Sequence, residues 1–490
     1  MNTASVKLGT WGMWPFRIPF RLDETKLKTH KHVMGITGQG KSKLLAHMTA
    51  SLILQGIGCC LIDPHSDLAR DVLTLLFDAG YFARPGAYDK LLYVDFNNPD
   101  RFIPFNVLKQ PYPVHEVARN LVEVCTRAWS ALADGAAPLF ENIMLASVPV
   151  LVENNLPITA LDELLSKKDY RDRLLTHCSD PKIITFFKEQ FDQWGKEQPT
   201  MIGSALRRAF LLAYTPALRY TLGQQENSLN FRQLMDSNIS IIVNLGGLDE
   251  QTQRILGCLI TVGFEVASLS RADMPEHKRN LYNLIMDEFS MFSAQSEEAL
   301  ARVLSLARKY NLFLTLAHQT WSQLSERLQG ALQNATPIYF RLGYDDAVWA
   351  APRIGHANPH HTKHEPRALQ GQALTVEHNP VYFQMQEEYE AWTRRIEGLW
   401  PQYAYVKYNR HVPNLLRKFF RNTGTVKIKT VNVPQPTATS EEIQNIKDYY
   451  AQALMKPLEE ITKTQPEKEK RIQGDGISPA PLRERRYQIT

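Results

Sequence analysis

Two short stretches, far apart in the chain, carry residue types suited to phosphate chemistry. The first, GITGQGKS from Gly35 to Ser42, matches G-x-x-x-x-G-K-[ST]. In this pattern glycines let backbone N–H groups wrap phosphate oxygens, the lysine reaches the β and γ phosphates, and the hydroxyl holds Mg²⁺. The pattern predicts a nucleotide phosphate loop, whose binding residues are Gly35, Thr37, Gly38, Gln39, Gly40, Lys41, Ser42 and Lys43.

The second stretch, NLIMDEF from Asn283 to Phe289, ends an apolar run with two adjacent carboxylates. Asp287 would support the Mg²⁺ together with Ser42, and Glu288 would polarise the attacking water. An Asp-Glu pair after a strand is common by itself, so it indicates a hydrolytic site only because the chain also contains the phosphate-loop motif. Together the two stretches predict hydrolysis of the nucleotide and not binding alone.

The segments around the motifs follow the order of a phosphate-binding β-α-β unit. Leu44 to Leu54 is apolar and rich in helix formers, and Gly58 to Ile62 is typical of a strand. Further strands are predicted at 239–244, before Asp287, at 313–317 and at 337–342. This alternation predicts an α/β fold, a P-loop NTPase (RecA-like) with a mostly parallel sheet covered by helices.

A large insertion must separate the two motifs, because their strands belong to one sheet. From Tyr112 to Tyr220 apolar residues recur at helical spacing, which predicts an inserted all-helical subdomain. The predicted domains are an N-terminal segment (1–27), the first part of the ATPase domain with the phosphate loop (28–111), the inserted all-α subdomain (112–228), the second part of the ATPase domain (229–425) and a C-terminal extension (426–490).

The C-terminal extension contains one predicted helix, 440–456, that starts at a capping box from Thr439 to Glu442. Its apolar residues fall on one face, at Ile443, Ile446, Tyr450 and Leu454. Such a face docks either on its own domain or on another protein. After Ile461 the chain is rich in Lys, Glu, Gln, Pro and Gly, which predicts a flexible, disordered tail.

Composition narrows the class of protein but not its partner. The chain has 56 basic and 51 acidic residues, a net charge of +5, which neither proves nor excludes a nucleic-acid partner. Its five cysteines show no C-x-x-C spacing, so reduced thiols in a cytoplasmic protein are expected, without a zinc site or disulfides. The apolar segment 255–269 is short and interrupted by Glu265, so a helix packed on the sheet is predicted, and not a membrane span.

A series of motifs along the chain resembles the HerA/FtsK superfamily of ring-forming motor ATPases. Within that superfamily the chain is most similar to the coupling proteins of conjugation and type IV secretion, which also carry an all-helical insertion. The resemblance covers roughly residues 28 to 420. It depends on the order and spacing of GITGQGKSK, LIDPHSDL, IPFNVL, SIIVNLG, NLIMDEF, LARKYNLFLTLAHQ and IYFRLGYDDA.

The resemblance implies a hexameric ring that hydrolyses ATP with Mg²⁺ and drives DNA through a central channel. A relaxase, an accessory DNA-binding protein or a membrane anchor protein would be its partner, and the location would be cytoplasmic, with membrane association through such a partner. No transmembrane segment precedes the phosphate loop, unlike in the membrane-anchored coupling proteins. Two alternatives stay open, a ring that secretes or assembles protein and a nucleotide-switched adaptor that recruits a DNA-processing complex.

The resemblance also implies roles for residues that the two motifs do not contain. Gln319 would be a γ-phosphate sensor, since its amide can contact both the γ-phosphate and the attacking water; otherwise it is an ordinary polar residue at a strand end. The arginine that a neighbouring subunit supplies would be Arg341, with Arg308 as the second candidate. The position of Asp63, and not the resemblance, gives it a candidate role: it ends the strand after the phosphate loop, where open α/β sheets gather ligand contacts, and would bond a phosphate-loop group or a water near the nucleotide. Because Asp63 precedes a proline, turn chemistry is an equal alternative.

Overall fold

The computed structural model describes residues 4–12, 16–110, 113–128, 137–355, 362–368, 376–409, 423–434 and 437–463. The strands are β1 (Ser5–Trp11), β2 (Ile18–Asp23), β3 (Lys31–Met34), β4 (Gly58–Asp63), β5 (Leu91–Asp95), β6 (Arg101–Phe102), β7 (Ser240–Asn244), β8 (Tyr282–Met286), β9 (Leu312–His318), β10 (Thr336–Tyr339), β11 (Thr362–Ala368), β12 (Val376–Tyr382), β13 (Tyr403–Asn409), β14 (Thr423–Thr430) and β15 (Lys456–Pro457).

The helices, in chain order, are α1 (Glu24–Leu27), α2 (Lys41–Leu54), α3 (Asp67–Asp78), α4 (Ala87–Lys90), α5 (Val114–Ala128), α6 (Ala137–Glu153), α7 (Leu161–Ser166), α8 (Lys168–Leu175), α9 (Pro181–Thr185), α10 (Gln198–Tyr214), α11 (Pro216–Leu222), α12 (Phe231–Asp236), α13 (Glu250–Ser270), α14 (Ser290–Leu306), α15 (Glu326–Leu332), α16 (Tyr344–Ile354), α17 (Met385–Glu397) and α18 (Ser440–Leu454).

One eleven-stranded sheet runs through the molecule in the order β2-β1-β14-β13-β10-β3-β9-β8-β4-β7-β5. Neighbours from β10 to β5 are all parallel. The remaining neighbours, from β2 to β10, pair antiparallel. The predicted fold class is confirmed: the sheet is mostly parallel and the molecule has the fold of a P-loop NTPase.

The central strands are buried along their whole length, because helices cover both faces of the sheet. Alternate residues of β4 show the two cores directly. Cys60 and Ile62 belong to the core that includes α13 and the insertion, whereas Cys59 and Leu61 belong to the core that includes α2, α3 and α18. The cysteines that the structure describes with their side chains are buried.

The helices from α5 to α12 lie between β6 and β7, and those from α5 to α11 fall in the stretch 112–228 that the sequence predicts to be an insertion. The first of them, α5, packs against α6 and also against α13 and α14. Its buried residues Val117 and Leu121 therefore join the core of the sheet domain. The insertion is fastened to the sheet and shares its apolar interior.

Both chain ends add to the sheet domain. The hairpin β1-β2 joins the sheet through β14, so the segment 4–27 extends the ATPase sheet. The predicted boundary at 425/426 falls inside β14. The helix α18 has the capping box of Thr439 and Glu442 and packs on β5 and α3, that is, on its own domain. The predicted disordered tail falls from 464 onward outside the described residues.

A helix buried in the core is the one element of the described chain that is long and apolar enough to cross a membrane. It comprises Glu250–Asp273, and most of its apolar stretch is buried inside the molecule. Its buried Glu265 is paired with Arg302 of α14. The helix predicted at 255–269 is thus a core helix that packs against α12, α14 and α5.

Candidate functional site

The predicted site residues meet at the carboxyl edge of the parallel strands. The phosphate loop leaves β3, the carboxylate pair follows β8, and Gln319 follows β9. In the sheet, β9 lies between β3 and β8. This strand order places Gln319 between the phosphate loop and Glu288, which chain spacing alone does not reveal.

The phosphate loop has the backbone of an open anion cradle. Gly38 and Gly40 have φ angles of 80° and 103°, in the left-handed region that favours glycine. A Cβ on Gly38 would meet nothing within 4 Å, so no described residue packs against the loop at this position. Gly40 is the N-cap of α2 and makes no side-chain cap bond, which leaves the first N–H groups of a 14-residue helix for an anion.

Two backbone hydrogen bonds hold this loop on either side. The N–H of Ile36 donates to the carbonyl of Arg341 over 3.0 Å, just beyond β10. The N–H of Gln402, in the turn before β13, donates to the carbonyl of Gln39 over 2.9 Å. The loop is therefore positioned before any nucleotide arrives, which lowers the entropic cost of binding.

Lys41 is folded back into the loop. Its Nζ donates to the carbonyl of Gly35 over 2.5 Å and weakly to that of Ile36 over 3.4 Å. Burial lowers the pKa of Lys41, while the nearby carboxylates of Glu288 and Asp287 act in the opposite direction. A phosphate group would offer the ammonium a charged acceptor in place of the two carbonyls.

Ser42 and Asp287 form the pair that a Mg²⁺ ion requires. The Ser42 Oγ donates to Asp287 Oδ2 over 2.8 Å, and Asp287 Oδ1 accepts the backbone N–H of Glu288 over 3.0 Å. Asp287 is buried. A hydroxyl and a carboxylate beside a phosphate cradle are the oxygen ligands that Mg²⁺ takes, so these residues fit the ion.

Glu288 is connected to the phosphate loop through Gln319. The Gln319 Nε2 donates to Glu288 Oε1 over 2.9 Å, and the Thr37 hydroxyl donates to Gln319 Oε1 over 3.3 Å. Glu288 has a φ of 44°, a left-handed conformation that costs a non-glycine residue roughly 1–2 kcal/mol. Such strain is typical of functional positions, where the surrounding structure enforces it.

The contacts of Asp63 favour its alternative role as a turn residue. Its side chain is buried, and its two oxygens accept the backbone N–H groups of His65 over 2.9 Å and of Ala69 over 2.7 Å. These bonds hold the turn that leads into α3, and burial raises the pKa of Asp63. Lys43 also points away from the loop, since its Nζ lies 2.6 Å from Asp71 Oδ2 of α3.

The two candidate arginines lie at opposite edges of the sheet. Arg341 is exposed and directly follows β10, at the carboxyl edge, where its backbone contacts the phosphate loop. Arg308 is also exposed but lies in a short helical turn before β9, at the amino edge. The structure thus brings Arg341 to the site edge and does not bring Arg308 there.

Sequence reasoning missed several residues that shape the site. Three contacts depend on which strands are neighbours. They are the bond from Thr37 to Gln319, the bond from the Gln402 N–H to the Gln39 carbonyl, and the buried pair His32 and His318. The histidine pair did leave a signal, because His318 directly precedes Gln319 and His32 lies in the strand of the phosphate loop.

Comparisons with known proteins agree with this geometry. The family "Type IV secretory system Conjugative DNA transfer" matches residues 180–336, which include Asp287, Glu288 and Gln319. No curated protein matches the chain.

Among solved structures, the bacterial conjugative coupling protein TrwB in its unbound form is 16% identical, with 86% of this chain and 89% of that chain covered and a TM-score of 0.56. TrwB in complex with ADP and Mg²⁺ is 17% identical over 86% and 89% of the chains, with a TM-score of 0.56. VirB4 of Thermoanaerobacter pseudethanolicus is 14% identical over 91% and 99%, with a TM-score of 0.51. The similarity of the chain to HerA/FtsK-type motor ATPases, and to conjugative coupling proteins in particular, is confirmed.

Proposed function

We propose that the chain binds ATP with Mg²⁺ at the carboxyl edge of its sheet and hydrolyses it. The observation that carries this proposal is the hydrogen bond from Gln319 to Glu288, which holds a carboxylate beside the open phosphate loop. A protein that only binds nucleotide does not need a positioned base. TrwB structures with ADP and Mg²⁺ and with an ATP analogue support nucleotide binding in the same fold.

Each residue of the site has a distinct task in the proposed reaction. Lys41 and the loop N–H groups bind the phosphates, and Ser42 and Asp287 would hold Mg²⁺, which neutralises phosphate charge when it is bound. Glu288 takes the proton of the attacking water. Gln319 orients that water, and loses its contact to the γ-phosphate after hydrolysis.

The energy of hydrolysis would move DNA. The match to the conjugative DNA-transfer family and the fold similarity to TrwB support a motor that delivers DNA in conjugative transfer or in the processing of a mobile element. The motor would be a homo-hexameric ring in which Arg341 enters the site of the next subunit. A relaxase, an accessory DNA-binding protein or a membrane anchor protein would connect the ring to its substrate and to the membrane.

The decisive experiment is ATP hydrolysis by the purified protein, with and without single- and double-stranded DNA, across a salt series. Lys41→Ala should lose nucleotide binding, and Glu288→Gln should bind ATP without hydrolysing it. We expect DNA to stimulate hydrolysis, and added salt to weaken that stimulation because counterions compete for the phosphates. Hydrolysis that is indifferent to both DNA forms would overturn the DNA assignment and favour a protein cargo. Wild-type hydrolysis in both variants would overturn the ATPase assignment.

A further inference from the structure

A chain of buried hydrogen bonds crosses three strands behind the site. His32 of β3 and His318 of β9 face each other with Nε2 atoms 2.6 Å apart. The Nδ1 of His32 lies 3.1 Å from the Tyr339 hydroxyl of β10, and the Nδ1 of His318 lies 2.8 Å from the carbonyl of Thr320. Both imidazoles are at most 1% exposed and the Tyr339 side chain is buried.

These contacts fix where the protons are when both rings are neutral. The Thr320 carbonyl can only accept, so His318 carries its proton on Nδ1 and its Nε2 is an acceptor. His32 must then donate from Nε2, and its bare Nδ1 accepts the Tyr339 hydroxyl proton. In this arrangement each ring nitrogen of the two histidines has a partner. Every hydrogen bond is donated in the same direction, from β10 towards β9.

A charged form of the pair is disfavoured at this place. A further proton on His318 would reverse the middle bond and leave a cation in the core, near Arg353 and Lys41, which are themselves cationic. Burial lowers the pKa of His318 to about 4 and that of His32 well below its usual value. Two neutral rings are therefore the resting state at neutral pH.

The hydrogen-bond chain contacts the segments that carry Gln319, Glu288 and the phosphate loop. The bond from His318 to the Thr320 carbonyl spans Gln319 and so fixes the peptide that carries the Gln319 amide. The ring of Phe289, the residue after Glu288, packs edge-on against His318 at 5.1 Å. His32 lies in the strand that enters the phosphate loop, and its other side is packed by Trp321 at 5.4 Å.

We propose that the hydrogen-bond chain from Tyr339 through His32 and His318 to Thr320 positions Gln319, and through it Glu288, for attack on the nucleotide. His32 and His318 are positioning residues, since their side-chain hydrogen bonds go to each other, to Tyr339 and to the Thr320 carbonyl. The proposal rests on hydrolysis at this site as argued above. It adds that the efficiency of Glu288 depends on where the protons lie on His32, His318 and Tyr339. These three residues are outside the phosphate-loop motif.

The first test compares ATP turnover in variants that break the hydrogen-bond chain at His318 or at Tyr339. His318→Leu removes both of its hydrogen bonds, whereas His318→Asn keeps a donor near the Thr320 carbonyl. We expect His318→Leu to lower kcat about 100-fold, since displacement of a reacting group by about 1 Å costs that much. His318→Asn should recover part of the loss, and KM for ATP should change less than twofold in both, because the phosphate loop is intact.

Tyr339→Phe breaks the far end of the chain with the loss of one hydroxyl, and Tyr282→Phe is its matched control. Tyr282 is also buried in the sheet, and its hydroxyl donates to the carbonyl of Ile239 over 3.0 Å at the amino edge, away from the site. Both variants lose one buried hydrogen bond and should lose similar stability. Only Tyr339→Phe should lower kcat, by about tenfold. Equal kcat in the two variants overturns the positioning role.

The second test reads the protons directly and does not depend on hydrolysis. In ¹⁵N-histidine-labelled protein, NMR should show His318 protonated at Nδ1 and His32 protonated at Nε2, with assignments from His318→Asn and Tyr339→Phe. The opposite tautomers would overturn the inference even if the protein hydrolyses ATP. Wild-type protein with the expected tautomers but without hydrolysis would overturn the proposed function instead.

Discussion

The side-chain amide of Gln319 connects the Glu288 carboxylate to the phosphate loop. It donates to Glu288 over 2.9 Å and accepts the Thr37 hydroxyl over 3.3 Å. The three residues come from three different strand ends, and one amide joins them because β9 lies between β3 and β8. A γ-phosphate in the loop would compete for these contacts, so in the proposed reaction the binding of ATP would be coupled to the alignment of Glu288.

Replacement of Glu288 tests the role of this carboxylate. Glu288→Gln keeps the shape and the left-handed backbone but removes the base, so we expect kcat to fall by about 10²- to 10⁴-fold. The affinity for ATP should stay within about twofold, because the carboxylate does not hold the phosphates. Phosphate release and nucleotide titration measure the two quantities. Glu276→Gln, in an exposed turn, is the control and should behave as wild type.

Arg341 should act on the site of a neighbouring subunit. Arg341→Ala is expected to lower kcat by about 10³-fold and to spare ATP binding, whereas Arg308→Ala, at the amino edge, should be close to wild type. Mixing two inactive proteins checks the direction. Subunits with Lys41→Ala cannot bind ATP but still carry Arg341, so they should restore hydrolysis to subunits with Arg341→Ala. Absence of recovery in the mixture would place the arginine in its own site or remove it from the reaction.

The sequence predicts those parts of the site that are local. The phosphate loop and the Asp287-Glu288 pair are identified because glycine, lysine and carboxylate spacings reflect contacts within one turn or one strand end. The buried strands are identified because continuous apolar runs are typical of strands covered on both faces.

Contacts between strands could not be predicted, since one sequence does not give strand order. The backbone hydrogen bond from Gln402 to Gln39 joins residues that are distant in the sequence, and so does the bond from His32 to His318. For the same reason the sequence predicts an N-terminal segment (1–27) but not that its strand β1 pairs with β14. Asp63 shows a different limit of prediction from sequence. An Asp before Pro can either contact the nucleotide site or hold a turn, and only its hydrogen bonds distinguish the two roles.

Buried histidines should make the fold sensitive to mild acid. His30 is buried, its Nδ1 accepts the N–H of Leu314 over 3.0 Å, and burial lowers its pKa to about 3. Between pH 3 and 6.5 the unfolded chain binds a proton that the folded chain does not, so stability falls as the pH drops through this range. The loss is about 1.4 kcal/mol per pH unit for this one group, or about 2 kcal/mol at pH 5.

His30→Asn isolates this contribution. The Asn Oδ1 can accept the same N–H of Leu314, but the amide does not titrate. Urea unfolding at pH 7 and pH 5 should therefore show a smaller loss of stability in the variant than in wild type, by about 2 kcal/mol. His177→Gln, on the surface, should keep the wild-type difference. An unchanged difference in His30→Asn would show that His30 does not stay neutral in the folded protein.

The C-terminal helix α18 is expected to contribute to the stability of the ATPase domain. Ile446 and Tyr450 are buried in the same core as α2 and α3, and α18 packs directly on β5. Ile446→Ala should cost about 2 to 5 kcal/mol of unfolding free energy, because it removes a buried side chain and leaves a cavity. Asn445→Ala, on the exposed face of the same helix, should change stability by less than about 0.5 kcal/mol.

Chemical denaturation and ATP turnover of the same preparations separate the two roles that the sequence left open for this helix. If α18 belongs to the domain core, Ile446→Ala loses stability while the folded protein keeps its turnover, since the helix lies against β5 and does not reach the phosphate loop. Full stability in Ile446→Ala would mean that this face does not contribute to the domain core and is available to another protein. Removal of the whole extension from 432 could not distinguish the two, because it would also delete the side chains that α18 contributes to the core.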